Sequence, residues 1–159
     1  MAPVEYSLAW IERWDQKLCL KLNRAGRIAW VRVLFRAVSR LGDGLFWYAM
    51  MSALLAVEGV SALLPVVHML AAGMACTVLY KWLKARTSRP RPYEVHANIV
   101  CRGIALDAFS FPSGHTLHAV AFSLIALSYY PFLFPLLVPF MLLVAASRLV
   151  LGLHYPSAV

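Results

Sequence analysis

The sequence is short of charge. Only 14% of its 159 residues are Asp, Glu, Lys or Arg, and only seven are acidic. With 62% of the chain apolar or aromatic, it is not a disordered segment, which lacks the apolar residues to collapse. It also departs from an ordinary soluble domain, whose apolar share is nearer half. Cysteine is scarce too. Cys19, Cys76 and Cys101 are scattered and odd in number, so they offer no disulfide framework and no metal-ligand spacing. They read as apolar fillers. Internal repeats and low-complexity tracts are absent. The opening residues lack a basic segment, and Glu12 and Arg13 interrupt the next apolar run, so we expect no cleavable signal peptide. What remains is a small helical membrane protein, of a length that suits one domain.

The placement of the charges tests that class. Residues 108–147 carry no charge, and neither do residues 59–80. A bilayer span needs about 20 mainly apolar residues, and both stretches meet that. The net charge is +8, and the basic surplus sits in two blocks, residues 13–40 and 81–102. Both blocks flank apolar spans. Lipid headgroups or an anionic lipid are therefore the expected partners, not nucleic acid.

Residues 4–23 read as an amphipathic helix, with Trp10, Trp14, Leu18 and Leu22 on one stripe. Residues 28–41 form a second, with Arg32, Arg36 and Arg40 on one side and Trp30, Leu34, Ala37 and Leu41 opposite. We expect both to lie in the membrane interface rather than pack as ordinary surface helices. Leu41-Gly42-Asp43-Gly44 then breaks the helix. Four spans follow: from about residue 45 to between 58 and 65, from 65 to 83, from 115 to 130, and from the proline-punctuated turn after 130 to about 151. The expected fold is all-α, a polytopic membrane helical bundle with N-terminal interfacial helices. Residues 86–112 form a polar loop too long to be a mere connector.

Alternation of the spans has a geometric consequence. The end of the second at Lys84, the start of the third at His115, and the end of the fourth at Arg148 and His154 must share one membrane face. Lys, Arg and His gathered at a membrane surface suit a phosphate site. Two histidines add a possible nucleophile and a possible general acid. Taken singly, each feature has a plainer reading. The 84–91 cations could anchor headgroups, His115 could be a helix-end residue, and His154 could hold a turn. His118 and His68 read as packing and helix-bonding residues, Arg86 and Arg89 as supports, and Asp107 as a loop residue.

Three segments carry a resemblance. Lys84, six residues, then Arg91-Pro92 is the first; Pro112-Ser113-Gly114-His115 is the second; Ser147-Arg148, five residues, then His154 is the third. In this order the chain resembles the type-2 phosphatidic acid phosphatase family, the membrane lipid phosphatases. The resemblance implies that His154 attacks phosphorus to give a phosphohistidine. It implies that His115 protonates the leaving lipid oxygen and later helps activate water, and that Lys84, Arg91 and Arg148 hold the phosphoryl oxygens. Ser113 and the Gly114 amide, at a helix start, join the substrate-binding set. No cofactor or metal is implied. Soluble haloperoxidases and acid phosphatases share the three elements, but the uncharged stretch at 108–147 argues against them.

The sequence departs from the family in one place. The third element normally ends in Asp four residues after the His, and here that position is Ala158. In the family that acid orients the nucleophile, as Asp does in a Ser-His-Asp triad. Members also continue into a further membrane helix. We therefore expect residues 1–159 to be one phosphatase domain lacking that last helix, cut or altered at its catalytic end and impaired. The expected substrates are phosphatidate, phosphatidylglycerol phosphate or a polyprenyl diphosphate. The alternative is a non-catalytic membrane protein that binds or carries phosphorylated lipids. Counting Lys and Arg places the site in the cytoplasm. Several of those charges are phosphate ligands, however, and the family resemblance points to the periplasmic or outer face of a bacterial inner membrane.

Overall fold

The computed structural model of the chain describes residues 3–105 and 107–159; positions 1 and 2, where the signal-peptide reading begins, lie outside the described residues. Helices α1 (Pro3–Ala25) and α2 (Ala29–Arg40) come first. A π-helical turn, Leu41–Leu45, leads into α3 (Phe46–Glu58). A short 3-10 turn, Gly59–Ala62, reverses the chain into α4 (Leu63–Thr87). The single-turn α5 (Pro92–Val95) interrupts the polar loop. Helix α6 (Gly114–Tyr129) and helix α7 (Phe134–Val150) complete the bundle, and a 3-10 turn, Pro156–Ala158, follows. Among the described residues there is no strand.

The bundle is built around α6, which packs on both α4 and α7, while α2 lies along α7. Its core joins Trp47 and Met51 of α3, Met69 of α4, Phe122 and Ala126 of α6, and Leu137 and Val144 of α7. Helices in lipid gain little from apolar burial alone, so close approach and polar bonds matter more. Both are present. A Cβ on Gly73 would lie 2.9 Å from Phe122 Cζ, so α4 and α6 meet at that glycine. His118 binds across the same seam, with Nε2 3.2 Å from Thr77 Oγ1. Nearer the far end, Tyr129 Oη and His68 Nδ1 share a hydrogen bond of 2.6 Å. Both histidines thus bond neighbouring helices; the sequence suggested this for His68 and only packing for His118.

Among the described residues two stretches are long and apolar enough to cross a membrane, Ala29–Val95 and Pro131–Val150. The core helix of a soluble protein passes the same test, but it would be mostly buried. Here only 28% of each apolar window is buried. Leu70, Met74 and Val78 of α4, Leu124 of α6, and Leu136 and Leu142 of α7 all point outward. Apolar surface on that scale marks contact with lipid. On their own, α3 with 13 residues and α6 with 16 are shorter than a full span.

The two N-terminal helices pack through one face and leave another outside. Val31 and Val38 of α2 and Cys19 of α1 are buried, while Trp10, Trp14, Trp30 and Leu34 are exposed. An ordinary surface helix would bury its aromatic stripe. Presenting it outward suits the membrane interface. One expectation needs correction here: of the three cysteines only Cys19 is buried, and Cys101 is exposed in the loop, so it fills no core.

Candidate active site

Each end of the polar loop is fixed by a helix terminus. Lys84 sits in the last turn of α4 and is buried, and Arg91 precedes α5 and is 1% exposed. Arg91 is held from three sides. Its Nε donates to the Asp107 carbonyl at 3.0 Å, its Nη2 to Asp107 Oδ1 at 2.9 Å, and its Nη1 to the Leu153 carbonyl at 2.8 Å. Lys84 Nζ donates to Asp107 Oδ2 at 2.5 Å. Asp107 is therefore not a mere loop residue; it bridges the two cations. Burial raises its carboxyl pKa, but the bonds and charges of Lys84 and Arg91 prevail and hold it below the usual carboxylate range.

The chain enters α6 through Ser113, whose Oγ accepts from Thr116 N–H at 3.4 Å and from Thr116 Oγ1 at 3.0 Å. Its own N–H donates to the Ala158 carbonyl at 2.8 Å. Ser113 is thus a helix cap and does not line the pocket described below. First-turn amides have no carbonyl partner within their helix, and Gly114 and His115 do reach that pocket. His115 Nε2 lies 2.8 Å from Asp43 Oδ1, in the Gly-Asp-Gly turn before α3.

After α7 the chain doubles back at Gly152, whose φ is +75°. A Cβ there would lie 2.8 Å from the Val100 carbonyl, so a side chain is excluded by space as well as by backbone. The turn returns His154 to the Arg148 carbonyl, which accepts from Leu153 N–H at 3.0 Å and His154 N–H at 3.2 Å. His154 is 1% exposed. Its Nδ1 donates to the Ser110 carbonyl, which leaves the lone pair on Nε2, 3.4 Å from Arg91 Nη1. Burial, then the charges of Arg148 and Arg91, push its pKa well below the usual histidine value, against the raising effect of the Ser110 bond. A neutral ring whose Nε2 lone pair lies beside a guanidinium group has the chemistry to act as a nucleophile toward an anion held there.

These groups close around one pocket of about 530 Å³. Lys84, Arg91, Gly114, His115, Arg148 and His154 line it, with Asp43, Asp107, Trp47 and Tyr80. Three segments far apart in sequence therefore meet on one face, as the alternation of spans required. Residues 61–159 match the PAP2 superfamily. The chain belongs to this family, the type-2 phosphatidic acid phosphatases. Among solved structures, one similar fold is described as the first transmembrane PAP2 type phosphatidylglycerolphosphate phosphatase from Bacillus subtilis. Its TM-score is 0.71 at 23% identity, over 94% of this chain and 77% of that chain. At that identity the likeness concerns the fold. No curated protein matches the sequence.

The PAP2 match starts at residue 61, yet the pocket also draws Asp43 and Trp47 from before it. Arg148 adds a further sign of an anion site. Its Nη1 donates to Ser39 Oγ at 2.6 Å, while its buried Nε–H has no partner among the described residues. Such a donor costs about 1–3 kcal/mol when left unpaired, which an entering phosphoryl oxygen would relieve.

Sequence reasoning missed four participants: Asp43, Asp107, Ser110 and Asp15. Asp15, in α1, is fully buried. It accepts from Arg89 Nη2 at 2.7 Å and Ser157 N–H at 2.9 Å, and also from the Ser157 hydroxyl. Arg89 in turn lies over the Tyr155 ring at 4.1 Å. This clamp grips the chain just after His154. The signal that could have found three of the four is the rarity of acids: of only seven, three are here. Position 158 behaves differently from expectation. Ala158 supplies no side-chain acceptor, but His154 is not left unpartnered, because the Ser110 carbonyl takes Nδ1.

Proposed function

We propose that this chain is an integral-membrane lipid phosphatase that hydrolyses a lipid phosphate or diphosphate through a phosphohistidine intermediate. The observation that carries the reading is His154, with its Nδ1 tied to a carbonyl and its Nε2 aimed among Lys84, Arg91 and Arg148. Nε2 attacks phosphorus, and the bond from phosphorus to the lipid oxygen breaks. The electron pair leaves with that oxygen, which takes a proton from His115. Water then attacks the phosphohistidine, gives its proton back to His115, and releases inorganic phosphate and neutral His154. Lys84, Arg91 and Arg148 stabilise the charge on the transferring oxygens, with the Gly114 amide at the α6 start. Ser113 supports that amide as a cap.

The substrate is a phospholipid monoester, such as phosphatidate or phosphatidylglycerol phosphate, or a polyprenyl diphosphate. The pocket lies at the end of lipid-exposed helices, so the phosphate can be presented while the tail stays in the bilayer. We place the protein in a bacterial inner membrane with the site facing the periplasm. Ala158 alone favours a second reading, a membrane protein that binds phosphorylated lipid without turnover. Phosphate release by purified protein in nanodiscs, from each of the three lipids, tests the choice. Release that disappears in His154→Ala supports the phosphatase. Release that persists in that variant, or binding with no release from any of the three, rejects it.

A further inference from the structure

Asp107 holds a place in the pocket that none of the three motifs explains. Its carboxylate takes the donors of Lys84 and Arg91, the two cations to which the proposed function gives the phosphoryl oxygens. Arg91 has five N–H groups. Nε, one on Nη1 and one on Nη2 are spent on Asp107, Leu153 and Asp107 again. A phosphoryl group entering the empty pocket therefore meets cations already engaged by an anion. The order from pocket to protein is also clear. The Asp107 side chain is 35% exposed, against 7% for Lys84 and 1% for Arg91, so the carboxylate is the outermost of the three. It is ionised at neutral pH, since the two cations hold its pKa low.

We propose that Asp107 is the resident anion of the phosphate site: it pairs with Lys84 and Arg91 and yields them to the substrate's terminal phosphate. This rests on reading the pocket as a phosphoryl site. Binding is then an exchange of anions, and the charge of the incoming group decides its outcome. A terminal phosphate carries close to two negative charges at neutral pH and outbids a single carboxylate. A phosphodiester carries one, so it exchanges one charge for one and gains little. The distinction matters in a bilayer, where diester headgroups surround the site at high local concentration. An open pair of cations would hold them. A carboxylate already in place sets a threshold that diesters do not pass, which makes Asp107 a specificity-determining residue.

The test uses wild type, Asp107→Asn and Asp107→Ser in detergent micelles. The serine can keep the turn's bond to the Phe109 N–H, which Asp107 Oδ1 accepts at 3.2 Å, without carrying charge. Gel filtration and circular dichroism identify the variants that are folded. Calorimetric titration with inorganic phosphate at pH 8 should show about tenfold tighter binding in the folded variants, because the competing charge is gone. Phosphatidylglycerol, a diester, should inhibit turnover by the variants more strongly than by wild type. Phosphate binding that is unchanged or weaker in the folded variants overturns the proposal and makes Asp107 a fixed strut. A wild type that neither binds phosphate nor releases it from lipid phosphates defeats the reading of the site itself. An active wild type with variants of unaltered phosphate affinity defeats only the role of Asp107.

Discussion

The two histidines of the pocket are held in opposite ways. His154 is buried and fixed by backbone: the Ser110 carbonyl takes Nδ1, the Arg148 carbonyl takes its amide, and Cys19 Sγ lies 3.5 Å from its carbonyl. His115 is held by a side chain. Its Nε2 meets Asp43, whose side chain is 42% exposed. Backbone partners cannot leave without unfolding a turn, whereas an exposed carboxylate can swing away. On the proposed mechanism the nucleophile is thus set before substrate arrives, and the acid must change partners to reach a leaving oxygen. Preorganisation is concentrated where the new bond forms.

The largest expected effect breaks the fixed side. His154→Ala should reduce phosphate release at least about a thousandfold, since removing a nucleophile leaves only binding and electrostatics. It should also abolish trapping of a phosphorylated enzyme from radiolabelled substrate. Release near the wild-type rate would end the comparison.

Next comes the movable side. His115→Asn should slow lipid phosphate hydrolysis about a hundredfold, the usual size of a general-acid contribution. Rates on p-nitrophenyl phosphate should fall much less, because that leaving group needs no proton. An equal loss on both substrates would make His115 a phosphate ligand and not an acid.

Smaller still is the effect of restoring the family's acid. Ala158→Asp should raise turnover, but only about tenfold. In a triad the acid fixes the tautomer as well as adding charge, and here the Ser110 carbonyl already fixes the tautomer. Equal rates would show that a carbonyl does the whole orienting task. A rise of many hundredfold would show that it does little.

The smallest effect is on stability. With the His154 pKa depressed in the fold, the unfolded chain binds more protons than the folded one below about pH 6.5. Stability should therefore fall as pH drops through that point. Asp107, also depressed, adds a second loss only below about pH 4. Thermal melts in detergent between pH 8 and pH 5 should show the first decline, and His154→Ala should reduce it. A flat wild-type profile would contradict the buried neutral histidine.

The sequence exposed the cations and histidines because their spacing survives without a structure. Lys84, Arg91, His115, Arg148 and His154 were all legible as candidates, and the structure brings them to one pocket. Helices α4, α6 and α7 fell where the uncharged stretches lie. What could not be read was who partners whom. Asp107 looks like any loop residue until Lys84, 23 positions earlier, comes within reach. Ser110 acts through its carbonyl, a group that every residue has. Ser113 matched a motif expected to bind substrate, and the structure adds that its Oγ accepts from Thr116 at the helix start. For Asp107 and Ser110 the deciding fact is a contact between segments that local pattern does not encode.

Asp15 gives the helices before the match a practical meaning. It joins α1 to Arg89, within the first of the three matching segments, and to Ser157, just after the third. A fragment beginning at residue 61 would keep the three matching segments and still lack the tie that braces the His154 turn from behind. For anyone expressing, trimming or transplanting this phosphatase, the unit to move is the chain from its first helix onward.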